Sequence, residues 1–178
     1  MESLVQSVQR GDRAAFEQLY RLTRPGLARL IEALLGNASA TEDLLQEAYV
    51  LVWTKIRVLR EPATFRTWLR RIAVNLCLRR REQHHKKGWN LVVDPDLHGA
   101  KQGGGDPAAV VPGLLDLRAG LDRLPETDRA LLILRELHGC SYDEMAEILS
   151  MPVGTVRSRL HASRKKILRE LQEKGATV

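Results

Sequence analysis

Cysteine is scarce in this chain: of 178 residues only Cys77 and Cys140 carry a thiol, and they stand in separate segments. That placement forms neither a metal knuckle nor a redox pair, and it points to a reducing compartment. Cys140, between Gly139 and a helix start, reads as a small buried filler rather than a reactive thiol. Long apolar runs are also missing. No stretch approaches the roughly eighteen apolar residues that a membrane span requires, so no membrane insertion is expected. Met1 to Tyr20, charged at Glu2, Arg10, Asp12 and Arg13, lacks the core of a signal peptide, and a cytoplasmic location is expected. The period-two alternation of strands is nearly absent, which predicts an all-α protein. Glycine-rich phosphate loops, nucleophile elbows and metalloprotease motifs are lacking as well. The adjacent His84 and His85 do not share a helical face, which argues against a metal pair. The expectation is therefore a non-enzyme with no cofactor and no metal.

What is present is basic charge, and it is segregated. The net charge of +6 arises from blocks: residues 1–59 sum to zero, 60–87 to +7, 88–113 to −2, 114–150 to −4, 151–169 to +6 and 170–178 to −1. Two basic blocks flank an acidic, glycine-rich interval. A polyanion touching both halves is the simplest partner, and nucleic acid is the commonest such polyanion.

Helical periodicity organises the rest. Asp12 predicts the cap of a helix reaching Leu35, with Pro25-Gly26 as the place for a kink and Gly36-Asn37 as the stop. Ser39-Ala-Thr-Glu42 has capping-box spacing, which predicts a helix over 41–57. A short connection through Glu61-Pro62 then leads to a helix over 64–83. The interval 88–113 holds Pro95, Gly103-Gly-Gly105, Pro107 and Pro112 with no sustained period, and reads as a flexible tether. It divides the chain into two small helical domains, 1–87 and 114–178. In the second, helices are expected over 114–124, 126–137, 141–150 and 152–171, with a second capping box at Ser141-Tyr-Asp-Glu144 and Pro152 in the first turn of the last helix.

The last two helices read as a helix-turn-helix. Val156, Leu160, Ile167 and Leu171 recur at helical spacing and belong to a core face. Thr155, Arg157, Ser158, Arg159, His161, Ala162 and Lys165 are left outside, the first two turns being those that such a helix offers to base edges. Arginine matches guanine O6 and N7, while serine and threonine serve bases or phosphates. In the first domain, Asp43, Gln46, Glu47 and Val50 form one stripe and Leu44, Ala48 and Leu51 another. The acidic stripe suits a basic partner surface, although taken alone a solvated face is the better account of it. On the following helix, Arg71, Asn75 and Arg79 share a face opposite Leu69, Ile72, Ala73 and Leu76, with Phe65 and Trp68 at its start. Basic groups beside aromatic pockets are the ingredients of single-strand binding, core packing being the plainer account of the two aromatics.

Taken in order, Thr41-Glu-Asp-Leu-Leu-Gln-Glu-Ala, Phe65-Arg-Thr-Trp-Leu-Arg-Arg-Ile-Ala-Val-Asn75, Leu124-Pro-Glu-Thr-Asp-Arg129, Ser141-Tyr-Asp-Glu-Met-Ala and Pro152-Val-Gly-Thr-Val-Arg-Ser-Arg-Leu160 resemble the extracytoplasmic-function (ECF) sigma factors of the sigma-70 family. The resemblance covers nearly the whole chain. It implies a bacterial RNA polymerase specificity subunit built of sigma regions two and four. Asp43, Leu44, Gln46 and Glu47 match positions that dock the clamp coiled coil of core polymerase, and region four would meet the flap. Arg60, Phe65, Arg71, Asn75, Arg79 and Arg80 fall on the element that captures and contacts the minus-10 DNA. Thr155, Arg157, Ser158, Arg159, His161, Ala162 and Lys165 fall on the reader of the minus-35 duplex. The resemblance further implies control by an anti-sigma factor, which, if membrane-bound, would hold the protein near the membrane. The competing reading of the same residues is a stand-alone helix-turn-helix regulator, which would bind duplex DNA tightly without polymerase and prefer a palindrome.

Overall fold

The computed structural model describes residues 1–86 and 120–173, and among these the regular structure is helical with no strand. They fall into two compact units. The expected tether lies outside the described residues, as does most of the helix expected over 114–124.

The N-terminal unit contains α1 (Glu2–Gln9), α2 (Arg13–Leu35), α3 (Ala38–Lys55) and α4 (Phe65–Lys86), with two short 3-10 turns, Ile56–Val58 and Pro62–Thr64, between α3 and α4. Helix α2 is central and packs against the other three. Its start is fixed by Asp12, whose Oδ1 accepts from the amides of Ala14 (2.9 Å) and Ala15 (3.1 Å), satisfying donors that a helix start leaves orphaned. Its end is fixed by Gly36 at φ 69°, a left-handed conformation that costs glycine nothing. Between them the helix runs through Pro25 without a break. An interior proline costs about 3 kcal/mol. Burial of Leu19, Leu27, Leu30, Ile31 and Leu34 along one face offsets it, since each fully buried leucine or isoleucine contributes roughly 1.5–3 kcal/mol.

Helix α3 starts earlier than the capping-box spacing predicts. The cap is Asn37, whose Oδ1 accepts from the Ala40 amide at 3.2 Å, so Ser39 lies inside the first turn. Glu42, the other half of the expected box, is drawn away by Arg24 at 2.8 Å. Beneath this helix the Tyr49 hydroxyl meets Thr23 Oγ1 at 2.7 Å, while Tyr20 packs edge-on against the same ring at 4.6 Å. Burial pushes the Tyr49 hydroxyl up to about 12, so it stays neutral in this bond. Helix α4 buries more of its circumference than its predicted stripe, because Thr67, Val74 and Cys77 are buried in addition to Leu69, Ala73 and Leu76.

The C-terminal unit contains α5 (Glu126–Glu136), α6 (Tyr142–Leu149) and α7 (Val153–Glu173), preceded by helical residues at 120–122. Helix α5 packs along α7. The capping box at the start of α6 forms as its spacing predicts: the Ser141 amide donates to Glu144 Oε2 at 2.8 Å and the Glu144 amide to Ser141 Oγ at 3.1 Å. The turn into α7 is a Schellman closure. Ser150 takes a left-handed φ of 52°, its amide donates to Glu147 O, and the Met151 amide donates to Ala146 O. No helix among the described residues is long and apolar enough to cross a membrane.

Candidate nucleic-acid and polymerase interface

In the N-terminal unit, α3, the first 3-10 turn and α4 enclose a cleft of about 240 Å³ lined by Leu51, Lys55, Val58, Trp68, Arg71, Ile72, Asn75, Leu76 and Arg79. The three residues predicted at four-residue spacing, Arg71, Asn75 and Arg79, all reach it. Trp68, half-buried, supplies a flat apolar wall, Asn75 an amide that both donates and accepts, and the arginines and Lys55 positive charge. This is the composition that holds an unstacked base by its face and edge and its phosphate by charge. Val58 opens the connection that the resemblance places beside the minus-10 DNA, whereas Lys55 was not foreseen in this role, because it lies on a different helix from the predicted stripe.

The other three predicted minus-10 residues do not line the cleft. Phe65 is 0 % exposed, with its ring 6.1 Å from that of Trp68. A side chain without surface cannot touch DNA, so Phe65 is a packing support and Trp68 the aromatic at the cleft. Arg80 lies about 100° around the helix from Arg79, and its guanidinium faces Asp43 of α3 at 3.8 Å. Arg60 is exposed on the connection between α3 and α4. That connection is held from α1, where Gln9 Nε2 donates to the carbonyls of Ile56 (3.0 Å) and Leu59 (2.7 Å).

The acidic stripe of α3 is solvent-facing as predicted: Asp43, Gln46, Glu47 and Val50 are all exposed. It continues along the same face to Trp53, whose ring packs against Phe16 at 5.0 Å yet keeps 39 % of its surface open. Leu44 does not belong to this surface. It is 2 % exposed and lies in the core, because it falls with Ala48 on the opposite face of the turn, so its place among the docking residues is corrected to one of support.

In the C-terminal unit Val156, Leu160 and Ile167 are buried and Arg157, Ser158, His161, Ala162 and Lys165 are exposed, with Thr155 and Arg159 half-buried. Ser163 is also buried, its hydroxyl donating to the Arg159 carbonyl at 2.8 Å. Part of the basic charge of α7 is spent within the unit. Arg159 Nε lies 2.7 Å from Asp128 Oδ1, and Arg164 donates through Nε and Nη2 to Glu136, which raises the pKa of Arg164. The acidic segment before α7 is therefore a set of partners for it. Arg157 is arranged differently. Its guanidinium stands 5.5 Å from the Tyr142 ring centroid, and Arg135 stands 5.1 Å from the same ring, a contact that orients a cation without neutralising it. Tyr142 is a residue the linear pattern missed, since only folding brings it to Arg157.

Among the described residues no group of three or more His, Cys, Asp or Glu is placed to hold a metal; the side chains of His84 and His85 fall outside that description. Comparison with known proteins accounts for both units at once. The model of sigma-70 region 2 matches residues 19–87 and that of sigma-70 region 4 matches residues 114–167. The RNA polymerase sigma-H factor of Pseudomonas aeruginosa is 31 % identical over 184 aligned residues, covering 96 % of this chain and 93 % of the relative. The ECF RNA polymerase sigma-E factor of Escherichia coli is 33 % identical over 178, covering 95 % and 93 %. The chain belongs to the ECF sigma factors.

Two solved structures share the fold. One is CnrH, solved in complex with the cytosolic domain of CnrY, with a TM-score of 0.72, 22 % identity and 97 % of each chain covered. The other is the sigma factor RpoE of Bartonella quintana, solved with the anti-sigma factor NepR, with a TM-score of 0.67, 24 % identity and 88 % and 96 % covered. In this sigma factor the region 2 match opens within α2, so α1 and Gln9 precede it.

Proposed function

We propose that this ECF sigma factor docks core RNA polymerase through the exposed stripe Asp43, Gln46 and Glu47, holds unpaired minus-10 DNA in the α3–α4 cleft, and reads the minus-35 duplex with the first turns of α7. The observation that carries the proposal is the cleft, where an aromatic wall, an amide and several cations converge. Extruding a base from the duplex costs a few kcal/mol. A protein that uses no nucleotide hydrolysis must offset that cost by binding, and stacking on an aromatic side chain contributes about 1–3 kcal/mol per base. Trp68 and Asn75 supply the base contacts, and Arg71, Arg79, Lys55 and Arg60 the contacts to the displaced strand.

The polymerase supplies the chemistry, so this subunit is no enzyme and needs no cofactor. Arg157, Ser158, His161, Ala162 and Lys165 face the duplex, with Thr155 and Arg159 at the edge of that surface. The region 4 unit would also meet the flap of the polymerase. Its place of work is the bacterial cytoplasm, where polymerase and promoters are. A sigma factor of the same fold solved with an anti-sigma factor supports control by such a partner, which would cover the polymerase-binding surface, and a membrane-bound anti-sigma factor would keep the complex near the membrane.

The test is the variant Asp43→Arg. Asp43 is exposed, and among the described residues its side chain makes a long ion pair with Arg80, so the fold tolerates the change. The variant is expected to keep its circular dichroism and lose retention on immobilised core polymerase. Retention equal to the wild type would remove α3 from the docking surface.

A further inference from the structure

We infer that Gln9 is a positioning residue for capture of the unpaired promoter strand: it locks the connection between α3 and α4 from outside the region 2 core. The inference rests on the proposed role of that connection and the adjoining cleft in holding minus-10 DNA.

The connection spans two 3-10 turns, and such turns satisfy few of their own carbonyls. It presents Val58, 70 % exposed, and Arg60 outward, while Ile56 and Leu59 are buried beneath it. Two buried side chains fix where the segment sits. The turn is closed by a backbone bond from the Leu59 amide to Ile56 O at 3.2 Å, and the orientation of its peptide planes sets the direction of Val58, which lines the cleft.

Gln9 adds a second tie to the same turn, from another helix. Its single amide group donates to Ile56 O at 3.0 Å and to Leu59 O at 2.7 Å, one at each end of the Val58 turn. Helix α1 is anchored for this purpose by Val5 and Val8, both buried, and the α1–α2 turn at Gly11 approaches the same connection, since a side chain there would come 3.8 Å from Arg57 Nη2. A neutral donor suits the place. A carboxylate of the same shape would set oxygen against two carbonyl oxygens, whereas an ammonium would still donate to both.

The test uses holoenzyme reconstituted from core polymerase and the full chain, with a fluorescent single-stranded oligonucleotide carrying the non-template minus-10 sequence of a promoter that yields transcript. Its Kd is read by anisotropy, and opening of the duplex promoter by permanganate reactivity of thymines. Gln9→Leu is expected to weaken strand capture about tenfold, the scale of one or two lost hydrogen bonds, with a parallel loss of opening and unchanged affinity for core polymerase. Gln9→Lys is expected to restore capture and Gln9→Glu to fail while both keep wild-type affinity for core polymerase, a combination that a merely structural role would not produce and that stands even if the leucine variant folds poorly. Wild-type binding matched by Gln9→Leu, or equal binding by the Lys and Glu variants, would overturn the inference alone. A wild-type holoenzyme that does not hold the strand would overturn the base-capture reading and the inference with it.

Discussion

Arg157 and Arg159 stand two residues apart at the start of α7 and are set differently by their surroundings. Arg159 is tied to Asp128, an acid only 18 % exposed, which orients it and cancels part of its charge. Arg157 lies over Tyr142 and keeps its charge for an outside partner. Replacing Arg157 by alanine is expected to cost about 1–3 kcal/mol of minus-35 binding and to relax preference at one base pair, if its fork meets a guanine edge. Competition between duplexes varied one position at a time checks this. Equal loss on every duplex would mark a phosphate contact instead. At this scale the sequence shows which residues share a helical face, as Arg71, Asn75 and Arg79 do. It does not show where a face ends. Phe65 and Leu44 each adjoin a proposed contact surface and are buried all the same, because the edge of a stripe depends on which neighbours a helix meets. The place of Tyr142 beside Arg157 and that of Gln9 beside the α3–α4 connection have no linear signal.

Among the elements, short-range chemistry was the most legible. Ser141 and Glu144 form their reciprocal bonds as the spacing predicts, and Asp12 and Gly36 bound α2. Ser141→Ala is expected to cost about 1 kcal/mol of stability, measured by denaturant unfolding of the full chain, and to loosen the turn that presents α7. A change below a few tenths of a kcal/mol would show the cap to be dispensable. Ser39 and Glu42 have the same spacing and form no box, since Asn37 stands one residue before the helix and caps it first. Which of two competing caps acts depends on where the preceding turn delivers the chain. Helix α1 escaped the reading of the sequence because eight residues with Val5 and Val8 as the buried pair make too short a period to stand out. Its stability comes from packing on α2, as for most short helices.

For the whole molecule, the order of motifs carried the most information. Each motif alone fits a solvated or packed face, and the ordered set matches two family models on one chain. The block charges mark two basic segments as candidates for nucleic-acid contact, and in the second the structure pairs Arg159 and Arg164 with acids of the same unit. Two readers on one chain gain affinity only when something sets their spacing to that of the promoter elements. In the proposed mechanism that spacer is core polymerase, so the protein by itself should bind promoter duplex weakly. A stand-alone regulator would do the opposite. The most direct measurement is run-off transcription by purified core polymerase on a library of supercoiled promoters, with and without this protein. The account predicts transcripts from a subset of templates that share two spaced elements and depend on the protein, and that disappear with Asp43→Arg. Tight binding to promoter duplex with no dependent transcript from any template would contradict it.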